Sequence, residues 1–225
     1  MMISPEIYYE FYLKDKTADE ILKAIRNLKR KINYLKNVVE HPEYCGMIKP
    51  SENTQIRYNR KYLERAKQTL VDMGVEYVPS KSELKAAEFN KNIQYITSVT
   101  LSFGGFFCGS DEYDVAFMDD DVLYSFGHLK CGSLPEKIST MNNYMTKQEF
   151  LEEFSRLHIG EWRKHYTTRR FGDTICDGVQ WSLEIKYSNG IKPVRISGDN
   201  AWPYNFDDLE YLMGCDDLEE DDENE

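Results

Sequence analysis

The stretch VQWSLEIKYSNG, residues 179–190, decides the fold. Val179, Trp181, Leu183, Ile185 and Tyr187 alternate strictly with Gln180, Ser182, Glu184 and Lys186. Successive side chains of a strand point to opposite faces, so this period of two describes a strand with one apolar and one wet face. Asn189-Gly190 has the composition of a type I′ turn, which needs positive φ at both central residues. It predicts that residues 191–197 return as an antiparallel partner.

The flanking segments complete a sheet and its cover. Residues 93–102 are rich in Ile, Val, Thr and Tyr and run into Gly104-Gly105, as a strand does before a bulge or tight bend. Residues 113–118 and 122–126 read as a hairpin about Asp119, Asp120 and Asp121, while 127–144 show no periodicity and read as an irregular loop. Thr146 and Glu149 form a capping box, each side chain satisfying a backbone N–H left open at a helix start. Phe150, Phe154, Leu157 and Trp162 follow on one face. Ser80 and Glu83 repeat the capping pattern before a short helix to Asn92, and a last helix, Phe206–Met213, stops at Gly214. The expectation for residues 75–214 is an α+β domain: an antiparallel sheet of about five strands with helices packed on one face.

Residues 17–74 have a different period. Thr17 and Glu20 cap a helix, Ala18–Val39, whose Ile21, Ile25, Leu28, Ile32, Leu35 and Val39 recur at alternating spacings of four and three. A second helix over 53–73 aligns Ile56, Leu63, Ala66, Leu70 and Met73 and stops at Gly74. Similar lengths, matched seams and a loop of about a dozen residues predict an N-terminal antiparallel helical hairpin. Two seams cannot fully dehydrate each other, so the main domain, a second copy or a partner must add cover. Residues 1–16 form an N-terminal segment, and 215–225 an acidic tail read as disordered.

Charge follows the same division. Residues 1–92 carry 17 basic and 13 acidic side chains, a net of +4, and residues 93–225 carry 11 and 26, a net of −15. The cationic candidates for partner contact are Lys23, Arg26, Lys29, Arg30 and Lys36 on the first helix and Arg57, Arg60, Lys61 and Arg65 on the second. Such cations can lie along a phosphate backbone, and the interleaved Tyr34, Tyr58 and Tyr62 can stack on bases. The acidic candidates are Asp119, Asp120, Asp121, Asp207 and Asp208, carboxylates able to replace phosphates in a basic groove.

Other classes find less support. Five widely separated cysteines without a CxxC pair argue against a disulfide framework or a thiolate zinc site and for a reducing cytoplasm. There is no signal-like start and no apolar run long enough for a membrane span. His158, Glu161 and His165 are spaced for one helix face that could hold a metal, but Gly160 interrupts that helix and no His follows His165. Asp173, Asp177, Glu184 and Asp199 supply carboxylates with no nucleophile beside them, and Gly104, Gly105 and Gly109 lack the Lys-Ser or Lys-Thr of a phosphate loop. No catalytic residue, metal or cofactor is expected.

Three quoted segments carry a resemblance: LHIGEWRKHY (157–166), DGVQWSLEIKYSNG (177–190) and GDNAWPYNF (198–206). Together they resemble the DGxQWxLxIxYSNG…GxNAxPxNF ending of a group of small proteins from bacteria and their mobile elements. The resemblance implies architecture: Trp181 and Trp162 filling the core, and Gly198, Asn200 and Pro203 shaping the loop that docks the last helix. In size, acidity and paucity of motifs the chain also resembles phage-encoded inhibitors of bacterial defence, anti-CRISPR proteins among them. The resulting expectation is a non-enzymatic binding protein that engages a protein or nucleoprotein partner, with homodimerisation through the hairpin open to it. A metal-dependent enzyme acting on nucleotides or nucleic acid, and a regulator that binds nucleic acid through the hairpin alone, are the alternatives.

Overall fold

The computed structural model describes residues 2–46, 49–105, 109–129, 136–173 and 178–215, and it divides into two compact units, 1–80 and 81–225. The acidic tail after Cys215 and the candidate Asp177 lie outside the described residues.

In the first unit α1, Pro5–Tyr8, is capped by the Ser4 hydroxyl and runs into a π-helical turn, Tyr9–Leu13. Two long helices follow, α2, Ala18–Val39, and α3, Glu52–Asp72. The α2 capping box is formed: the Thr17 N–H donates to Glu20 at 2.9 Å and the Glu20 N–H donates to the Thr17 hydroxyl at 3.4 Å. Ile21, Ile25, Leu28, Ile32 and Leu35 are buried, as are Ile56, Leu63, Ala66 and Leu70. Met73 is exposed instead of buried, and Tyr62 and Thr69 extend the inward face of α3. The N-terminal segment adds cover to that face. The Tyr62 hydroxyl donates to the Ile3 carbonyl at 2.8 Å and accepts from the Ile3 N–H at 3.1 Å, and Leu13 is buried. Before α3 the Tyr44 hydroxyl donates to buried Glu52 at 2.7 Å, a bond that pushes the phenol up to about 12.

The second unit begins with α4, Lys81–Asn92, and then forms β1, Ile96–Gly105, β2, Gly109–Met118, β3, Asp121–Leu129, and β4, Glu136–Thr146. After α5, Lys147–Arg156, come β5, His165–Thr167, β6, Val179–Tyr187, β7, Val194–Asp199, and α6, Phe206–Met213. The strand order is β4-β3-β2-β1-β6-β7-β5. Every pair is antiparallel except β5 with β7.

The α+β class therefore stands, but the expected sheet of about five antiparallel strands is, over the described residues, a mixed sheet of seven. Two physical causes account for the difference. β4 occupies part of the segment read as a loop, because backbone bonding along the β3 edge needs no apolar alternation. β5 is a parallel addition to β7, a non-local pairing that no turn signal announces. The Asn189-Gly190 connection is also longer than expected. Gly190 has φ +78° but Asn189 is not in the left-handed region, and its side-chain oxygen accepts from the Ile191 N–H at 3.3 Å. Pro193 has no N–H to give the ladder, and β7 starts at Val194.

One sheet face enters a single core. Leu101 sits between Tyr113 and Leu183, and Val99 between Val115 and Ile185. These residues pack with Phe150 and Phe154 of α5 and Phe206, Leu209 and Leu212 of α6. The segment 198–206 is fitted to this core. Trp181 Nε1 donates to the Ala201 carbonyl at 2.9 Å, and a Cβ on Gly198 would fall 2.0 Å from that nitrogen. Asn200 accepts from the Val179 N–H at 3.0 Å, leaving no room for a side chain at Gly178. Asn205 accepts from Trp162 Nε1 at 3.2 Å and donates to the Leu157 carbonyl at 2.9 Å, docking the start of α6. Only glycine fits at 178 and 198 because neighbouring side chains fill the space a Cβ needs.

Candidate functional site

The spacing that turns the α2 seam inward turns Lys23, Arg26 and Arg30 outward, and all three are exposed. On α3 the exposed cations are Arg57 and Lys61. Among the described residues, Lys23, Arg26, Arg30 and Arg57 have no carboxylate partner. Other charges of this unit do: Lys14 pairs with Glu10 at 2.8 Å, Lys16 with Glu20 at 3.4 Å and Lys67 with Glu64 at 3.0 Å.

The remaining cationic candidates are placed differently. Lys29 donates to the Tyr77 hydroxyl and lies over that ring. Arg65 sits 4.0 Å from the centre of the Tyr9 ring and 3.6 Å from Asp72. These two serve to hold the chain together. Lys36 and Arg60 are half-buried. Lys61 lies 5.5 Å from the Tyr58 ring centre.

Tyrosine rings lie beside these cations. Tyr8 stacks on Tyr62 at 4.3 Å with an interplanar angle of 9°, and Tyr12 stacks on Tyr8 at 5.0 Å and 27°. Tyr58 is tilted against Tyr62 at 6.2 Å. Burial raises the Tyr8 phenol, with smaller contributions from Tyr12 and Tyr62.

In the second unit the acidic candidates occupy two elements. Asp119, Asp120 and Asp121 are exposed at the β2–β3 turn, where Asp119 has φ +56° and the Asp120 carbonyl accepts from the Lys147 N–H at 2.9 Å. Asp207 and Asp208 are exposed in the first turn of α6, where carboxylates complement the positive end of the helix dipole. His158, Glu161 and His165 do not share a helix face. The helix ends at Arg156, His158 has φ +53°, Glu161 closes a 3-10 turn and His165 belongs to β5. A Cβ on Gly160 would lie 2.9 Å from Phe89 Cβ, so this turn packs too closely on α4 for any residue but glycine. Among the described residues no group of three or more His, Cys, Asp or Glu could hold a metal ion.

The open face of the sheet carries a polar row that the sequence reading did not assemble. Ser102, Ser182, Ser197 and His165 are register partners across β1, β6, β7 and β5. They line a groove of ≈ 510 Å³ with Gln180 and Asp199, and among the described residues no lysine or arginine lines it. His165 Nδ1 lies 2.8 Å from the Ser197 hydroxyl. This set can hydrogen-bond a neutral polar group. One register row along, Arg195 lies 2.6 Å and Lys186 3.3 Å from Glu184. The Arg195 hydrogen bond holds the Glu184 carboxyl below its ordinary range. Comparison with family models, curated proteins and solved structures returned no match. No helix of the described residues is long and apolar enough to cross a membrane.

Proposed function

We propose that this chain is a non-enzymatic binding protein that regulates or inhibits a nucleoprotein partner by occupying its surface. The outward cations of α2 and α3 take nucleic-acid phosphates, and the acidic sheet unit faces a basic protein surface. The observation that carries the reading is the set of exposed cations, Lys23, Arg26, Arg30 and Arg57, with no carboxylate partner among the described residues. Cations already neutralised within the chain gain little from a phosphate, whereas unneutralised ones release condensed counterions from nucleic acid.

The test is a titration of labelled oligonucleotide across a range of salt. Four phosphate contacts correspond to a slope of log K against log salt of about −3, and R26E/R30E flattens it by roughly 2. Absence of binding at low salt, or an affinity indifferent to salt, contradicts the reading.

A further inference from the structure

The tyrosine ladder of the first unit narrows this reading, on which the following rests. Its innermost ring, Tyr62, is 7% exposed, and Tyr8 lies flat on it. The outermost ring, Tyr12, is 57% exposed, and the adjacent Phe11 is 77% exposed. The ladder therefore runs from the interior to solvent and ends in an open aromatic face. A ring anchored by two others behind it loses little rotamer freedom when a ligand stacks on it.

We propose that the nucleic acid taken by this unit is single-stranded and that one of its bases continues the ladder on Tyr12. Every base has a π-face, and an unpaired strand presents it, whereas bases inside a duplex are already stacked on each other. The charge beside the ladder suits the same ligand. Lys61 lies over Tyr58, which packs against Tyr62, and Arg57 precedes Lys61 by one turn on the exposed side of α3. These two side chains stand at the Tyr62 end of the ladder, where they meet phosphates farther along the strand than the base on Tyr12. Interleaved cations and aromatic faces are the general solution for binding single strands without reading sequence. The open ring thus has a stated role: it supplies stacking, while Arg57 and Lys61 supply charge.

The experiment compares full-length protein with its Tyr12→Ala, Tyr12→Phe and R26E/R30E variants by fluorescence anisotropy. The probes are labelled oligothymidylate of about 12 nucleotides and a duplex of the same length. The expected result is a single-strand preference of roughly tenfold, a loss of about tenfold in Tyr12→Ala and a change within about twofold in Tyr12→Phe. Equal affinity for strand and duplex overturns the proposal, as does unchanged single-strand affinity in Tyr12→Ala while R26E/R30E weakens binding. Either outcome leaves the cationic reading standing. No binding of either probe by the unaltered protein removes that reading as well. A Tyr12→Ala effect confined to self-association, seen by sedimentation, assigns the open ring to a second copy of this chain and also overturns the proposal.

Discussion

In the helical unit Lys23, Arg26, Arg30 and Arg57 stand on exposed helix faces with no carboxylate partner among the described residues, whereas in the sheet unit Glu184 is held by Arg195 and Lys186 and Asp114 accepts the Thr100 hydroxyl at 2.6 Å. Geometry produces the difference. Cross-strand neighbours on a sheet face are set side by side by register, so opposite charges find each other. Outward positions of a long helix meet only residues three and four away, and around Arg26, Arg30 and Arg57 those residues are all cationic or neutral. The sheet unit uses part of its charge to fix its own structure, and the helical unit leaves a stripe for a partner.

The largest expected effect tests whether the two units are separately built. All three tryptophans, Trp162, Trp181 and Trp202, lie in residues 81–225, so tryptophan fluorescence reports the sheet unit alone. Gly198→Val drives a side chain into Trp181 and should cost the sheet unit about 4 kcal/mol or more. The tryptophan transition should then move to lower denaturant while the helical signal of α2 and α3 persists. Loss of both signals together would erase the division. The converse change, Ile25→Ala in the buried α2 seam, should cost about 3 kcal/mol and lower the helical signal with the tryptophan transition unmoved.

The smallest effect sharpens the comparison, because the two units share one device. Thr17 with Glu20 and Thr146 with Glu149 are the same capping box on α2 and α5. Thr17→Ala and Thr146→Ala should each cost about 1 kcal/mol, each read in its own unit by hydrogen exchange. In both boxes the backbone N–H of the threonine holds the glutamate carboxyl below its ordinary value. A carboxyl depressed in the folded state stabilises above its unfolded pKa and loses that contribution as pH falls through the folded one. Acid should therefore weaken both caps alike, and Glu20→Gln and Glu149→Gln should flatten that dependence in their own units.

What could be read from the chain was local. α2 is legible because its cap and its seam lie within one element, and β6 because its alternation needs no knowledge of its neighbours. β4 and β5 are defined by the strand edges they join, and residues 136–146 and 165–167 carry no period that says so. The row Ser102, Ser182, Ser197 and His165 depends on strand order: the alternation shows that Ser182 is wet, not which residues lie beside it. His165 was legible as a polar candidate but not as a strand residue, since the helix that would have grouped it with His158 stops at Arg156. Lys29 and Arg65 read as surface cations because Tyr77 and Tyr9, which engage them, come from other elements. The Tyr8 and Tyr12 rings had only their spacing of four as a signal, in a segment too short to suggest a helix by itself.

The most direct measurement reverses equal charge in the two units and compares nucleic-acid affinity at low salt. R26E/R30E alters the unpartnered stripe, and K91E/R156E alters cations that Glu88 and Glu153 already neutralise. The helical stripe predicts a loss of about tenfold or more in R26E/R30E and a change within about twofold in K91E/R156E. Equal losses in the two variants would mean that net charge alone governs binding and would contradict a stripe built for a partner.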